Sequence, residues 1–253
     1  MRSKHPKEEI RTMLEHDRIW SAYALADLDP KHDRFAHWYV QDEAVLLRYD
    51  GLQPPILFAI GPGDKILPLC RNLPPQTYQI SLPIEVLETL AGKFEITEQI
   101  PMLRLNRVNH ETTLIPDFEL RRLTNQDITT IGQLYRGHAD APDGYHPRQV
   151  EPGPFIGAWE SGALVATAGV HVLSKIYGVA ALGNVFTHPE FRKRGFAQAC
   201  SQSVLLELEK SGIATIVLNV AEGNEAAIRL YQRLGFSTHC SFYEGAIIIT
   251  DVP

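Results

Sequence analysis

The chain has 253 residues, of which 44% are hydrophobic and 21% are charged, and its formal net charge is −6. This length fits one large or two medium-sized globular domains, and the acidic balance argues against nucleic acid as the main partner. The sequence contains no run of about twenty apolar residues, so we expect no transmembrane helix and no membrane partner.

The N-terminus is charged and lacks the apolar core of a signal peptide. The three cysteines, Cys70, Cys200 and Cys240, are widely spaced and form no C-x-x-C motif. Both features predict a reduced, cytoplasmic setting. The sequence leaves the oligomeric state open.

The first 112 residues have the pattern of an α+β domain. A helical pattern over residues 6–28 is followed by short apolar runs bounded by Asp, Gly or Pro, which are typical of strands. Gly61 to Lys65 lacks the spacing of a phosphate-binding loop, so we interpret it as a turn. The predicted elements are strands at 35–40, 44–49, 54–60, 78–83 and 96–105, and a helix at 83–91.

A polar segment, His110 to Pro116, is the predicted linker to a second domain at residues 117–253. Thr124 to Asp127 is predicted to cap a helix that ends near Gly137, and the segment after it is rich in Pro, Gly and polar residues. That segment is either a surface loop or part of a binding pocket. The remaining predicted elements of this half are strands at 118–123, 155–159, 164–173, 177–187 and 213–220 and helices at about 196–211 and 224–235.

The junction between the strand ending at Thr187 and the helix starting near Phe196 suits an anion. A helix N-terminus has N–H groups without intrahelical partners and carries partial positive charge. Gly195 and Ala197 place little side-chain bulk there, so a phosphate can approach the backbone. Three cationic side chains add attraction: Arg192, Lys193 and Arg194.

Two motifs in this half resemble those of the GNAT superfamily of acyl-CoA-dependent N-acyltransferases. The turn R-x-x-G-x-A at 192–197 is similar to its pyrophosphate-binding turn, and N-x-x-A-x-x-L-Y-x-x-x-G-F at 224–236 is similar to its second cofactor motif. The resemblance covers about residues 117–250. It implies an α+β fold with a mixed sheet, in which the strand before the turn and the strand near 217–220 splay apart.

The N-terminal half shows a second resemblance. Its element order is compatible with a degenerate GNAT-like domain, and residues 67–83 with 94–105 resemble the N-terminal domain of the glycine N-acyltransferase group.

The resemblance implies a site for acetyl-CoA or another acyl-CoA. Backbone groups of Val185 and Thr187 would meet the pantetheine arm, and an N–H near Val185 or Phe186 would polarise the thioester carbonyl. The N–H groups from Lys193 to Ala197 would hold the pyrophosphate. The full set of predicted cofactor-binding residues is Val185, Phe186, Thr187, Arg192, Lys193, Arg194, Gly195, Phe196, Ala197, Asn219, Asn224, Ala227 and Tyr231.

The catalytic residues are less completely specified. Tyr231 matches the tyrosine that protonates the leaving thiolate, although a core aromatic would fit the same position. Many relatives carry a glutamate on the strand before the turn, whereas this sequence has Ala181 to Asn184 there. The candidates for the missing base are His171, Glu151 and a water chain held by Asn184. Glu151 and His138 are the predicted substrate residues.

The sequence therefore predicts an N-acetyltransferase that moves an acetyl group from acetyl-CoA to a primary amine of a small molecule in a ternary complex. The alternatives are transfer of a longer acyl group to an amino acid, acylation of protein N-termini or lysines, and a catalytically silent acyl-CoA-binding module. No metal is predicted, because the spacing of His138, Asp140, His146 and Glu151 matches no ligand pattern.

Overall fold

The computed structural model describes residues 6–108, 117–142 and 144–250, and the predicted linker from His110 to Pro116 lies outside these ranges. Among the described helices, none is both long and apolar enough to cross a bilayer. The helices are α1 Lys7–Glu15, α2 Ala22–Asp27, α3 Gly63–Cys70, α4 Ile84–Ala91, α5 Ile128–Tyr135, α6 Phe196–Lys210 and α7 Glu225–Arg233. The strands are β1 Ala36–Gln41, β2 Ala44–Tyr49, β3 Ile56–Ile60, β4 Gln76–Pro83, β5 Glu95–Arg107, β6 Glu119–Arg122, β7 Ile156–Glu160, β8 Ala163–Ser174, β9 Val179–Thr187, β10 Thr215–Ala221 and β11 Phe236–Ile249.

The chain forms two compact units. The first contains Met1–Arg104, Val220–Asn224 and Thr238–Pro253, and the second contains Leu105–Asn219 and Glu225–Ser237. Most of β11 therefore belongs to the first unit, although it is the last strand of the chain. The predicted domain limits at 112 and 117 border residues that the structure does not describe, so that division remains a prediction.

In the first unit the strand order is β1-β2-β3-β4-β11-β5. β3 and β4 run parallel, whereas β4 and β11 are antiparallel and pair from Gln76 with Ile249 to Pro83 with Phe242. Apolar residues of these strands and of α3 and α4 form one buried cluster. The predicted α+β character of this half is confirmed.

Two local predictions in the first unit were wrong. The single helix expected over residues 6–28 is two helices, because the Asp17 carboxylate accepts the N–H of Trp20 at 2.9 Å in a turn between them. In the segment interpreted as a turn, Gly61 to Lys65, residues from Gly63 onward form the start of α3, which was not predicted. Gly63 is required there for packing, since a Cβ atom would lie 2.3 Å from the Thr89 hydroxyl.

In the second unit the order is β10-β9-β8-β7-β6, antiparallel except for the parallel β9–β10 pair. Along the chain, the elements from β6 to β11 follow the predicted order of strands and helices. The apolar stripe predicted for α6 is buried: Phe196, Cys200, Val204 and Leu208. A mixed α/β fold with a mixed sheet is thereby confirmed.

Candidate active site

β9 and β10 part at the point where the predicted site begins. Their parallel pairing runs from Val179 with Thr215 to Ala181 with Val217. Both strands continue beyond the last pair, β9 to Thr187 and β10 to Ala221. The splayed strands expected from the sequence are therefore present, and backbone groups of β9 beyond Ala181 are not bonded to β10.

A bulge interrupts β9 just past this parting. Thr167 faces Phe186 and Gly169 faces Gly183, so Asn184 and Val185 together oppose one residue of β8. Asn184 adopts a left-handed backbone conformation with φ of 52°, which asparagine tolerates better than most residues. The bulge places the residues predicted to meet the acyl group where the sheet opens.

Two buried hydroxyl groups anchor this bulge. The carbonyl oxygen of Asn184 lies 3.1 Å from Thr167 Oγ1 and 3.3 Å from the Tyr135 hydroxyl, and the two hydroxyls are 2.7 Å apart. Burial raises the pKa of Tyr135 above its ordinary value, so the phenol stays protonated and able to donate. Neither residue was predicted from the sequence, since a threonine in an apolar strand and a tyrosine on an amphipathic helix match no spacing pattern.

The side chain of Asn184 makes the directed contact that its polar character in an apolar strand predicts. It is 2% exposed, and its Nδ2 donates to Gln149 Oε1 at 3.1 Å. Its Oδ1 is buried and has no hydrogen-bond partner among the described residues. Gln149, in a short 3₁₀ turn at Pro147–Gln149, was also missed.

His171 lies beside the same stretch of β9. It is an extra residue in β8, because Val170 faces Leu182 and Val172 faces Ala181. Its ring packs on Gly183, where a Cβ atom would lie 2.3 Å from the ring, and it is also close to Gly144. The structure thus brings His171 next to the residue that precedes Asn184.

The two predicted substrate residues lie in different surroundings. The His138 ring packs against Phe186 and His188, with centroids 5.5 and 5.1 Å apart. The Glu151 carboxylate accepts a hydrogen bond from Asn125 Nδ2 at 2.6 Å and borders a shallow surface depression of about 440 Å³. Only His138 is held against a residue of β9.

The predicted phosphate turn has the backbone shape that an anion site needs. Lys193 and Gly195 both have positive φ, 62° and 97°, and α6 begins at the next residue, Phe196. Gly195 is the N-cap and has no side chain to accept the first-turn N–H groups. A Cβ atom there would make only ordinary contact with Phe118 at 3.6 Å, so the glycine is required by the backbone conformation.

The three cations of the turn are not equivalent. Arg192 donates to the Asp140 carboxylate at 2.6 Å and to the Thr187 carbonyl at 3.0 Å. Arg194 makes a two-pronged contact with the Glu160 carboxylate. Within the described ranges no carboxylate pairs with Lys193, so an incoming phosphate meets competition at both arginines and none at the lysine.

The second motif follows β10. Asn219 lies near the end of β10, and the N–H of Asn224 donates to the Ala221 carbonyl at 2.9 Å just before α7. Tyr231 is buried on α7 against Phe236, with ring centroids 6.0 Å apart, and burial raises the pKa of its phenol to about 12. The phenol is therefore protonated at neutral pH.

Comparison with known proteins matches this half of the chain to a family. Residues 123–236 match the profile of the Acetyltransferase (GNAT) family. This segment, residues 123–236, is therefore similar to a GNAT acetyltransferase domain and is called the GNAT domain below. It includes β9, the phosphate turn, α6, β10 and α7, which carry the motifs described above.

Two curated relatives share part of the GNAT domain. The chain is 41% identical over 58 residues to the ribosomal protein bS18-alanine N-acetyltransferase of Escherichia coli K12, which is 23% of this chain and 39% of the relative. It is 34% identical over 92 residues to the mycothiol acetyltransferase of Streptomyces coelicolor, which is 35% of this chain and 28% of the relative. The chain thus spans well under half the length of the relatives it matches.

A solved structure supports the fold over most of the chain. The GCN5-related N-acetyltransferase from Kribbella flavida superposes with a TM-score of 0.61 at 18% identity, covering 91% of this chain and 94% of that one. At this identity the likeness concerns the fold. The likeness of the first 112 residues to the glycine N-acyltransferase group stays a prediction.

Among the residues that the structure describes, no group of three or more His, Cys, Asp or Glu side chains is arranged to hold a metal ion. The acidic and histidine side chains of the segment after α5 are engaged separately, as Asp140 with Arg192 and Glu151 with Asn125 illustrate.

Proposed function

We propose that the GNAT domain is an N-acetyltransferase that transfers an acetyl group from acetyl-CoA to a primary amine of a small molecule, directly and within a ternary complex. The observation that carries the proposal is the uncapped start of α6. It follows the positive-φ turn from Lys193 to Gly195 and comes shortly after the strand segment where β9 has parted from β10.

The residues present fit acetyl-CoA as a substrate. The first-turn N–H groups of α6 and the Lys193 ammonium would hold the pyrophosphate. Backbone groups of Val185 and Thr187, on the part of β9 that lies beyond its last pair with β10, would meet the pantetheine arm. Asn219, Asn224 and Ala227 would complete the cofactor surface, as the second motif implies.

The reaction needs a carbonyl activator and an acid. Acetyl-CoA supplies the acetyl group as a thioester; the amine nitrogen bonds to the carbonyl carbon, the C–S bond breaks, nitrogen loses a proton and sulfur gains one. A backbone N–H near Val185 or Phe186 would stabilise the charge that develops on the carbonyl oxygen. Tyr231 would give the sulfur its proton, because it matches the second motif and its phenol is protonated at neutral pH.

The acceptor must lose a proton before it attacks. An alkylamine with a pKa near 10.4 is charged at pH 7, and exposing the neutral form costs roughly 4–5 kcal/mol at about 1.36 kcal/mol per pH unit. Of the candidate bases, His171 is the better supported, since its ring lies against Gly183. Glu151 is held by Asn125 instead, and a water chain at Asn184 remains the third candidate.

The acceptor class rests on weaker support than the reaction. One relative is named for a ribosomal protein alanine and the other for mycothiol, a small molecule. A small-molecule amine is our choice, and a protein N-terminus is the main competitor. The likeness of residues 1–112 to the glycine N-acyltransferase group supports a further alternative, in which a longer acyl group is moved to an amino acid.

A second candidate function is an acyl-CoA-binding module without catalysis. The observation that favours it is the absence of a carboxylate in β9, where residues Ala181 to Asn184 contain none. Retention of a protonated, buried tyrosine at 231 favours the enzyme. The two candidates differ in turnover and not in binding.

Titration calorimetry with acetyl-CoA, a longer acyl-CoA and free CoA tests the shared binding step. Free-thiol release with a panel of amines, amino acids and an alanine-starting peptide then tests catalysis. Binding of acetyl-CoA together with amine-dependent release of free thiol supports the enzyme. Binding of acetyl-CoA without thiol release in the presence of any of these acceptors supports the module without catalysis. Absence of binding to all three compounds would contradict both.

A further inference from the structure

The side-chain amide of Gln149 has only one orientation consistent with its neighbours. The backbone N–H of His146 donates to Gln149 Oε1 at 2.8 Å, and Gln149 Nε2 donates to the Gly144 carbonyl at 3.2 Å. A backbone N–H can only donate and a carbonyl can only accept. The oxygen of Gln149 therefore faces His146 and cannot exchange places with the nitrogen.

This orientation is transmitted to Asn184. Gln149 Oε1 also accepts the Asn184 Nδ2 at 3.1 Å, so the amide nitrogen of Asn184 faces Gln149 and Oδ1 faces the other way. That oxygen is buried and unpartnered among the described residues. A buried acceptor without a donor is destabilising, and the protein retains this cost in the β9 bulge.

The place of this oxygen points to a substrate. Asn184 follows the last β9–β10 pair, at Ala181 and Val217, and it directly precedes the backbone proposed to polarise the thioester. Its backbone carbonyl is already occupied by Thr167 and Tyr135. The side-chain oxygen is thus a hydrogen-bond acceptor next to the backbone proposed to polarise the thioester.

We propose that Asn184 Oδ1 accepts an N–H of the acceptor amine, and that Gln149 is the positioning residue that keeps this oxygen directed at it. The inference rests on the proposed acetyl transfer and specifies how the amine is recognised. As nitrogen bonds to the carbonyl carbon it becomes positively charged, so the N–H···O contact is stronger in the transition state than in the ground state. A thiolate, which has no proton to donate, gains nothing from this oxygen.

Shielding from water is part of the same arrangement. Oδ1 is shielded from bulk solvent by the surrounding protein atoms. A hydrogen bond formed in such a buried position is stronger than one in solution.

The test compares four variants with hydroxylamine, which is uncharged at neutral pH, and with an alanine-starting peptide as acetyl acceptors. Asn184→Leu removes the oxygen, and Gln149→Leu removes the group that directs it. Gln149→Glu keeps an acceptor for both His146 N–H and Asn184 Nδ2, and it loses only the donor to the Gly144 carbonyl. Gln133→Leu, which changes an exposed glutamine on α5 of the GNAT domain, is the matched control.

We expect kcat/KM for the amine to fall roughly 10- to 100-fold in Asn184→Leu and Gln149→Leu, as for loss of a hydrogen bond to a charged group. Acetyl-CoA affinity by calorimetry should stay unchanged, which a general loss of structure would not allow. Gln149→Glu should retain most of the transfer rate. If Asn184→Leu does not fold, the contrast between the two Gln149 variants still decides.

Amine transfer that is unaffected by the leucine variants, or that falls equally in Gln149→Leu and Gln149→Glu, would overturn this inference alone. A wild-type protein that binds acetyl-CoA but acetylates neither probe would contradict the proposed function together with it.

Discussion

The guanidinium of Arg192 donates a hydrogen bond to the carboxylate of Asp140, at 2.6 Å. Its Nε also donates to the Thr187 carbonyl, at the end of β9. Arg192 thus connects the segment after α5 to the strand that leads into the phosphate turn. A pyrophosphate bound at α6 has to share this cation with Asp140.

Neutralising that competitor should strengthen cofactor binding. Asp140→Asn removes a negative charge next to the turn, and because the pair is exposed we expect affinity for free CoA to increase by at most about fivefold, equivalent to roughly 1 kcal/mol. The gain should shrink at high salt, where exposed charges are screened. Calorimetry with free CoA at two salt concentrations measures the gain in affinity and its salt dependence. Weaker CoA binding by the variant would show that Asp140 serves to orient Arg192.

Two substitutions at Gly195 should distinguish the effect of backbone strain on stability from the effect of steric exclusion on acetyl-CoA binding. Gly195→Ala forces a side chain into positive φ, which costs about 1–2 kcal/mol of stability, while leaving room for phosphate. Gly195→Glu adds bulk and negative charge at the N-terminus of α6 and should abolish acetyl-CoA binding. Thermal unfolding and calorimetry on the pair distinguish the two effects, and intact binding by the glutamate variant would contradict the phosphate site.

Tyr231→Phe should lower kcat while acetyl-CoA affinity stays close to that of the wild type, because only the proton donor to sulfur is lost. Thiol-release kinetics beside calorimetry make the comparison. A variant with full turnover would exclude Tyr231 as the acid and leave it as a core residue packed on Phe236.

The same residue predicts a pH dependence of stability. Burial raises the pKa of Tyr231 to about 12, above the value near 10 expected in an unfolded chain. The folded state therefore keeps its proton longer than the unfolded state does, so this contribution is complete below pH 10 and is lost as pH rises through about 12. By pH 11 the wild type should have lost about 1 kcal/mol of unfolding free energy that Tyr231→Phe does not lose. Denaturant titrations at pH 8 and pH 11 provide the measurement, and equal losses in both proteins would contradict the raised pKa.

The hydroxyl pair under the β9 bulge should be coupled. Thr167→Val and Tyr135→Phe each remove one donor to the Asn184 carbonyl, and we expect each to reduce stability by about 1 kcal/mol. The double variant leaves that buried carbonyl with neither hydroxyl, so its loss should exceed the sum of the single losses. A double-mutant cycle by denaturant unfolding measures this coupling, and strictly additive values would show that the bulge is held by other contacts.

Local patterns were sufficient to predict much of the GNAT domain. The stripe from Phe196 to Leu208 predicts α6 because helical periodicity is local, and the glycine at 195 marks the turn because few other residues tolerate its φ. The α3 helix was not predicted from the sequence, because Pro62 and Gly63 at its start and Pro68 within it are residues typical of turns. The division between α1 and α2 depends on an Asp17 side chain, which periodicity does not register.

The residues of the candidate site could be predicted from the sequence only where a motif or an unusual polar residue indicated them. Asn184 stood out in an apolar strand, but its partner Gln149 lies 35 positions away in a segment without periodic structure. Likewise, the sequence showed three cations in the turn but not that Asp140 and Glu160 already occupy two of them. Pairings of this kind are set by how strands and loops pack, and no local spacing encodes them.

The position of β11 has a consequence for how the first unit is completed during synthesis. β4 pairs along its length with β11, which lies between β4 and β5 in the sheet, yet β11 is made after the whole GNAT domain. While the ribosome is still translating residues 105–235, β4 has no partner on that side and exposes an open edge. The sheet of the first unit is therefore completed only after the GNAT domain has been synthesised. A nascent chain stalled before residue 236 should expose the edge of β4 to chaperones.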